Sequence, residues 1–198
     1  MQISIKNSFA EIATSAGSFG TLKNTIEFST GLLNNHFEFS GRVATIKSDG
    51  YVDRATSDLK SYFFQGVYQD ENTRIKALTF GGNEITYQSW YGLDPATLTL
   101  NRHYNSAGEI YDDFGNLMGF YDTQVDNYKQ DHYQFHWNEK INQRWSTNFG
   151  LNYTYGRGYF EQFRKDDSVE TYGGIVESDT DQSGVKLGTT DLIRRRWL

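Results

Sequence analysis

The chain has 198 residues, 19 Lys+Arg against 25 Asp+Glu for a net charge of −6, and no cysteine. That acidity argues against nucleic-acid binding, which needs clustered basic residues to displace counterions. The missing thiols exclude a disulfide framework, thiolate chemistry and cysteine-ligated metal centres. Aromatic residues make up 16% and all apolar types only 37%, too aromatic for disorder and too polar for an ordinary soluble core. No apolar run approaches the ~18–20 residues of a spanning helix, and Met1, Gln2, Ile3, Ser4, Ile5 and Lys6 lack the apolar centre of a signal peptide.

In chain order the pattern predicts β-structure nearly throughout. A first strand over 9–15 precedes the Gly17-Ser18-Phe19-Gly20 turn, and a second holds Ile26 and Phe28. Asn34-Asn35 then leads into Phe37, Phe39, Gly41 and Val43, alternating with Glu38, Ser40 and Arg42. Residues 59–69 and 73–80 form a hairpin across Asp70-Glu71-Asn72, with Phe63 and Phe64 on opposite faces. Tyr133, Phe135 and Trp137 alternate with His132, Gln134, His136 and Asn138, and Asn142-Gln143 joins them to the clearest strand. There, over 145–155, Trp145, Thr147, Phe149, Leu151, Tyr153 and Tyr155 share one face and Ser146, Asn148, Gly150, Asn152 and Thr154 the other. An eighth strand starts at Asp191-Leu192-Ile193, with too little chain after it to finish. No sustained 3.6-residue period predicts a helix.

The connections alternate short and long, which in an up-and-down meander puts tight turns at one end and long loops at the other. Outer-membrane barrels sort their loops in this way, whereas the Greek-key connections of soluble sandwiches mix them. In the strand over 145–155, aromatic residues at both ends flank Phe149 and Leu151, an apolar band between two aromatic girdles over the ~9–11 residues a tilted transmembrane strand needs. The expected fold is therefore all-β: an antiparallel up-and-down transmembrane β-barrel, present in part, with seven to eight strands. A barrel left open would expose backbone groups to lipid, so a truncated barrel is expected. The other reading is a soluble antiparallel β-sandwich that recognises carbohydrate through loop aromatics.

Several segments resemble TonB-dependent outer-membrane receptors. They are Gly17-Ser18-Phe19-Gly20-Thr21, Ser48-Asp49-Gly50-Tyr51-Val52-Asp53-Arg54-Ala55, Asp126-Asn127-Tyr128-Lys129-Gln130-Asp131-His132-Tyr133, Tyr153-Thr154-Tyr155-Gly156-Arg157-Gly158-Tyr159-Phe160-Glu161, and Thr190-Asp191-Leu192-Ile193-Arg194-Arg195-Arg196-Trp197-Leu198. Each is weak alone; jointly they run through the chain in the family's order. The resemblance implies a 22-stranded barrel with a plugged lumen, of which residues 1–198 are about the first third, with 1–8 as the plug-to-barrel junction and the plug itself missing. It implies residence in a Gram-negative outer membrane and TonB-energised uptake of a scarce solute: siderophore, haem, cobalamin or glycan. The implied partners are outer-membrane lipid, the TonB complex through an N-terminal part outside this chain, and a small-molecule or glycan ligand, with no nucleic acid.

Site chemistry is sparse. His132 and His136 are four apart, about 13 Å along a strand, too far to share one metal. Asp179-Thr180-Asp181-Gln182-Ser183-Gly184 opens like a calcium loop but has Thr190 where the bidentate glutamate belongs. Asp112-Asp113 and Asp166-Asp167 read as solvated loop acids, Gly156-Arg157-Gly158 precedes no helix and is no phosphate cradle, and Arg194–Arg196 reads as lumenal and loop-end charge. Gly-x-Ser-x-Gly is absent. No nucleophile–base pair emerges, so no enzyme activity, cofactor or metal is expected. The connection over 81–130 is rich in aromatic residues, and Trp90, Tyr91, His103 and Tyr104 are the expected ligand contacts.

Overall fold

A computed structural model describes residues 7–168, 179–180, 186–187 and 189–197. The chain is all-β, 64% strand and 4% helix. Its elements are β1(Phe9–Ala16), β2(Leu22–Ser29), β3(Phe37–Ser48), β4(Ser57–Gln69), β5(Thr73–Tyr87), α1(Pro95–Leu100), β6(Glu109–Tyr111), β7(Leu117–Phe120), β8(Val125–Lys140), β9(Ser146–Ser168), β10(Asp179–Thr180), β11(Lys186–Leu187) and β12(Thr189–Trp197). Eight strands form one antiparallel sheet in the order β1-β2-β3-β4-β5-β8-β9-β12, and the sheet is not closed.

Two compact units divide the chain: Met1–Tyr51, Thr56–Thr86 and Asn127–Gly158 in the first, Val52–Ala55, Tyr87–Asp126 and Tyr159–Leu198 in the second. In the first, a meander of long strands is held in register by turn chemistry. Asn34 and Asn35 between β2 and β3 both have positive φ, 47° and 57°, the left-handed pair that a tight hairpin turn requires and asparagine tolerates. Asp70 between β4 and β5 accepts from the amides of Asn72 at 2.9 Å and Thr73 at 2.7 Å. Asn142 between β8 and β9 repeats the device on Arg144 at 2.8 Å and Trp145 at 3.0 Å.

The register sorts side chains onto two faces. Ile12, Ile26, Val43 and Tyr62 stand in one cross-strand row, and Phe28, Gly41 and Phe64 in the next. On the opposite face a row runs Glu11, Glu27, Arg42, Phe63 and Phe80. Phe63 and Phe64 do lie on opposite faces, as their place in the alternation predicted.

Three expectations are corrected. A helix does form: Pro95–Leu100, with Asp94 as N-cap accepting from Ala96 at 2.9 Å and Thr97 at 3.0 Å and proline opening the first turn. At six residues it is too short to show a period, so only its Asp-Pro start could have revealed it. The long connection narrows to 88–124, because β5 and β8 run further than their alternation suggested, and it contains the β6–β7 hairpin. The last strand does have room, since β12 pairs with β9 from Thr189↔Ser168 to Trp197↔Tyr159. The sorting of loops is also softer than expected: 30–36 at the tight-turn end is only one residue shorter than 49–56 at the other, and the contrast is clear only from β4 onward. Residues 1–6 of the proposed junction and most of the calcium-like segment lie outside the described residues.

Candidate functional site

The first unit carries its apolar side chains in the open. Phe28, Phe39, Phe64, Phe149, Leu151 and Tyr153 are all exposed, from 37% for Phe28 to 61% for Tyr153. The buried hydrophobic side chains among the described residues are Val67, Tyr87 and Ala107, and none belongs to this face. The face is nonetheless built. Phe28 and Phe64 close over Gly41, where a Cβ would come within 2.7 Å and 2.6 Å of their rings, and Phe39 lies over Gly66 at ordinary contact distance, 3.4 Å from where a Cβ would be. Tyr133 and Tyr153 stack at 6.2 Å between β8 and β9. These rings wall a groove of about 840 Å³. Contiguous exposed apolar surface is uncommon on soluble monomers, and each such side chain gains ~1.5–3 kcal/mol on leaving water.

The second unit is organised by polar groups. Glu161 on β9 is 4% exposed and accepts from Tyr121 at 2.5 Å, Thr123 at 2.7 Å, and Arg195 through Nε at 2.8 Å and Nη2 at 2.5 Å. Burial opposes its ionisation, but those hydrogen bonds and the Arg195 charge outweigh it and hold the carboxyl below the usual glutamate range. Asn105 is a second anchor. Its amide donates to the carbonyls of Asp53 at 3.0 Å and Gln88 at 2.9 Å, while its oxygen accepts from Ala107 at 3.0 Å. Tyr87 donates to the carbonyls of Tyr121 at 2.7 Å and Ala107 at 3.1 Å. Arg54, at φ 61°, lies 3.5 Å from the Phe120 ring centroid and donates to the Asn105 and Ala107 carbonyls.

The four expected ligand contacts separate. Trp90 and Tyr91 are exposed at 60% and 46% and meet edge to face at 6.5 Å. Tyr104 instead turns inward: it donates to Glu109 and packs on Phe120 at 6.4 Å. That hydrogen bond, then burial and the nearby charge, push its hydroxyl up to about 12. His103 is exposed, and its carbonyl accepts from Asp53 at 2.7 Å. Sequence reasoning missed Glu161, Asn105 and Gln88 as organising residues, because single polar side chains at irregular spacing carry no pattern.

The remaining motifs have local structural partners. His132 stacks on Phe80 at 4.4 Å and bonds Thr154 at 2.9 Å, while His136 bonds Gln134 at 3.3 Å. Among the described residues no group of three His, Asp or Glu could hold a metal. Asp112 accepts from Phe114 at 2.9 Å and Asn116 at 2.7 Å, and Lys165 pairs with Asp113 at 3.0 Å. Arg194 donates to Gln162, Arg195 pairs with Glu161, and Arg196 lies over Phe160 at 5.4 Å. Gly156 and Gly158 sit inside β9 against the Tyr128 ring. The side chains of Asp166 and Asp167 lie outside the described residues. No helix among the described residues is long and apolar enough to cross a membrane. Comparison with protein-family models, with curated proteins and with solved structures finds no match to this chain.

Proposed function

We propose that this chain is a stretch of an outer-membrane transport barrel of the TonB-dependent receptor kind, in which the exposed aromatic face meets lipid and the polar face lines an aqueous lumen. The reading rests on one observation: an antiparallel meander whose apolar face is exposed while its other face carries Glu11, Glu27, Arg42, Gln65 and Gln130. An apolar sheet face needs a second layer or a bilayer against it, and among the described residues of the first unit there is no second layer. Among the described residues no strand pairs with the outer edge of β1 or of β12. In lipid those backbone groups need further strands beside them, because an unsatisfied group there costs several kcal/mol. The activity belongs to the complete barrel: uptake of a scarce solute energised through TonB, with the solute first met by loop aromatics such as Trp90 and Tyr91.

The chain has no cysteine, so single-cysteine variants report on one position each. Phe149→Cys and Asn148→Cys, labelled with an environment-sensitive dye in vesicles, sit on adjacent residues of opposite faces. The expected result is a blue-shifted, brominated-lipid-quenched signal at 149 and a water-like signal at 148. Equal signals, or a labelled chain that stays monomeric in buffer without vesicles, would sink the membrane reading.

A further inference from the structure

We propose that the polar face of the sheet carries a binding site for a flat aromatic anion, its ring against the Phe80–His132 stack and its carboxylate on Arg42. This deepens the transport reading by naming a solute class, and it rests on that reading for the face to be lumenal. The site is a recess of about 580 Å³ in the first unit, within the range of small-molecule pockets.

Its floor is a straight cross-strand row. Arg42 on β3 stands opposite Phe63 on β4, Phe63 opposite Phe80 on β5, and Phe80 stacks on His132 of β8 at 4.4 Å and 13°. The row thus ends three ring systems in a cation, with Leu59 and Tyr128 beside them in the recess. Arg42 is also available. Glu27 stands directly opposite it on β2, with Glu11 beyond on β1, yet neither lies within ion-pair distance of the guanidinium. Arg42 lines the recess instead, and its planar fork suits a carboxylate.

The row offers ring faces more than hydrogen-bonding atoms. The two phenylalanines have none, and His132 Nδ1 is engaged by Thr154 at 2.9 Å. Ser61, Glu84 and Gln130 also line the recess, but Phe63 and Phe80 themselves offer a sugar's hydroxyls no partner, whereas an aromatic ring gains from offset or edge stacking there. From Arg42 to Phe80 is two strand spacings, about 10 Å, which sets the distance between carboxylate and ring.

1-Pyrenebutyrate has about that span and is fluorescent; 1-pyrenebutanol is its uncharged counterpart. Anisotropy titrations on the complete 198-residue chain in vesicles should give saturable binding of the acid, at least tenfold tighter than the alcohol. Arg42→Gln should weaken the acid at least tenfold and leave the alcohol unchanged. Phe80→Ala should weaken both, with an unchanged circular-dichroism spectrum separating lost stacking from lost fold. The inference is overturned if acid and alcohol bind alike, if Arg42→Gln changes nothing, or if glucuronate displaces the probe better than 1-naphthoate does. Failure here with the 149/148 dye contrast intact removes this site alone; binding without that contrast removes the membrane reading and leaves the site.

Discussion

The hydroxyl of Tyr121, in the long connection, donates to the buried carboxylate of Glu161 on β9 over 2.5 Å. Thr123 and Arg195 complete the set, so one carboxylate ties the connection and β12 to β9. Glu161→Gln keeps the shape but removes the charge that three residues address. The expected cost is about 1–3 kcal/mol, read as faster hydrogen exchange at residues 120–124. The carboxyl titrates below the ordinary glutamate value of 4.5. Its contribution is therefore complete above that value and lost as the pH falls through the lower, folded-state one. Protection at 120–124, taken relative to the intrinsic exchange rate at each pH, should fall on acidification in the parent chain and stay flat over the same range in Glu161→Gln; parallel profiles would remove Glu161 from the role.

Asn105 bonds the backbone at three places, the carbonyls of Asp53 and Gln88 and the amide of Ala107. Asn105→Ala leaves all three without these partners in a site that is 3% exposed, a loss of about 1–3 kcal/mol. Asn105→Asp should be worse, because its oxygens would face two carbonyl oxygens where the amide had donated. Limited proteolysis within 88–124 checks the order: parent slowest, alanine faster, aspartate fastest.

The strands of the first unit were legible because period-two alternation is imposed by burial or lipid on one face only, and Phe37 to Val43 and Thr147 to Tyr155 carry it without interruption. The long connection was not. Its framework is Asn105, Gln88, Gln124 and Tyr87 reaching backbone atoms far away in sequence, and a hydrogen bond between residues 52 positions apart, such as Asn105 to Asp53, leaves no local trace. The same blindness put Tyr104 beside Trp90 as a ligand contact. A tyrosine in a loop looks the same in sequence whether it faces solvent or donates to a glutamate five residues on.

Trp90 and Tyr91 should therefore part company with Tyr104 under mutation. Alanine at Trp90 and Tyr91 should change stability by less than about 0.5 kcal/mol, as exposed substitutions do, while, on the proposed transport reading, weakening solute capture. Tyr104→Phe should do the reverse and cost about 0.5–1.5 kcal/mol through the lost bond to Glu109. The Tyr104 hydroxyl is pushed up from 10.0 to about 12, so the folded state favours its neutral form. That contribution is full below pH 10 and lost as the pH rises through about 12. Ultraviolet titration should lose one tyrosine from its late-ionising fraction in Tyr104→Phe.

Gly156 and Gly158 both pack against Tyr128, and they should respond differently to alanine. At Gly156 a Cβ would come 2.7 Å from the Tyr128 hydroxyl, the far end of a side chain, with the next atom at 3.5 Å. At Gly158 it would meet the Asn127 carbonyl oxygen at 2.5 Å and the Tyr128 Cα at 2.9 Å, both backbone. Overpacking costs typically ~1–3 kcal/mol, and the two sites should fall at opposite ends of that range. Removing the hydroxyl removes only the first conflict, so Tyr128→Phe should restore Gly156→Ala to within about 0.5 kcal/mol of the Tyr128→Phe parent and do nothing for Gly158→Ala. Denaturant midpoints of the three single and two double variants measure this. Equal rescue at both glycines would mean that the Tyr128 hydroxyl, and not the β8 backbone, sets the space over β9.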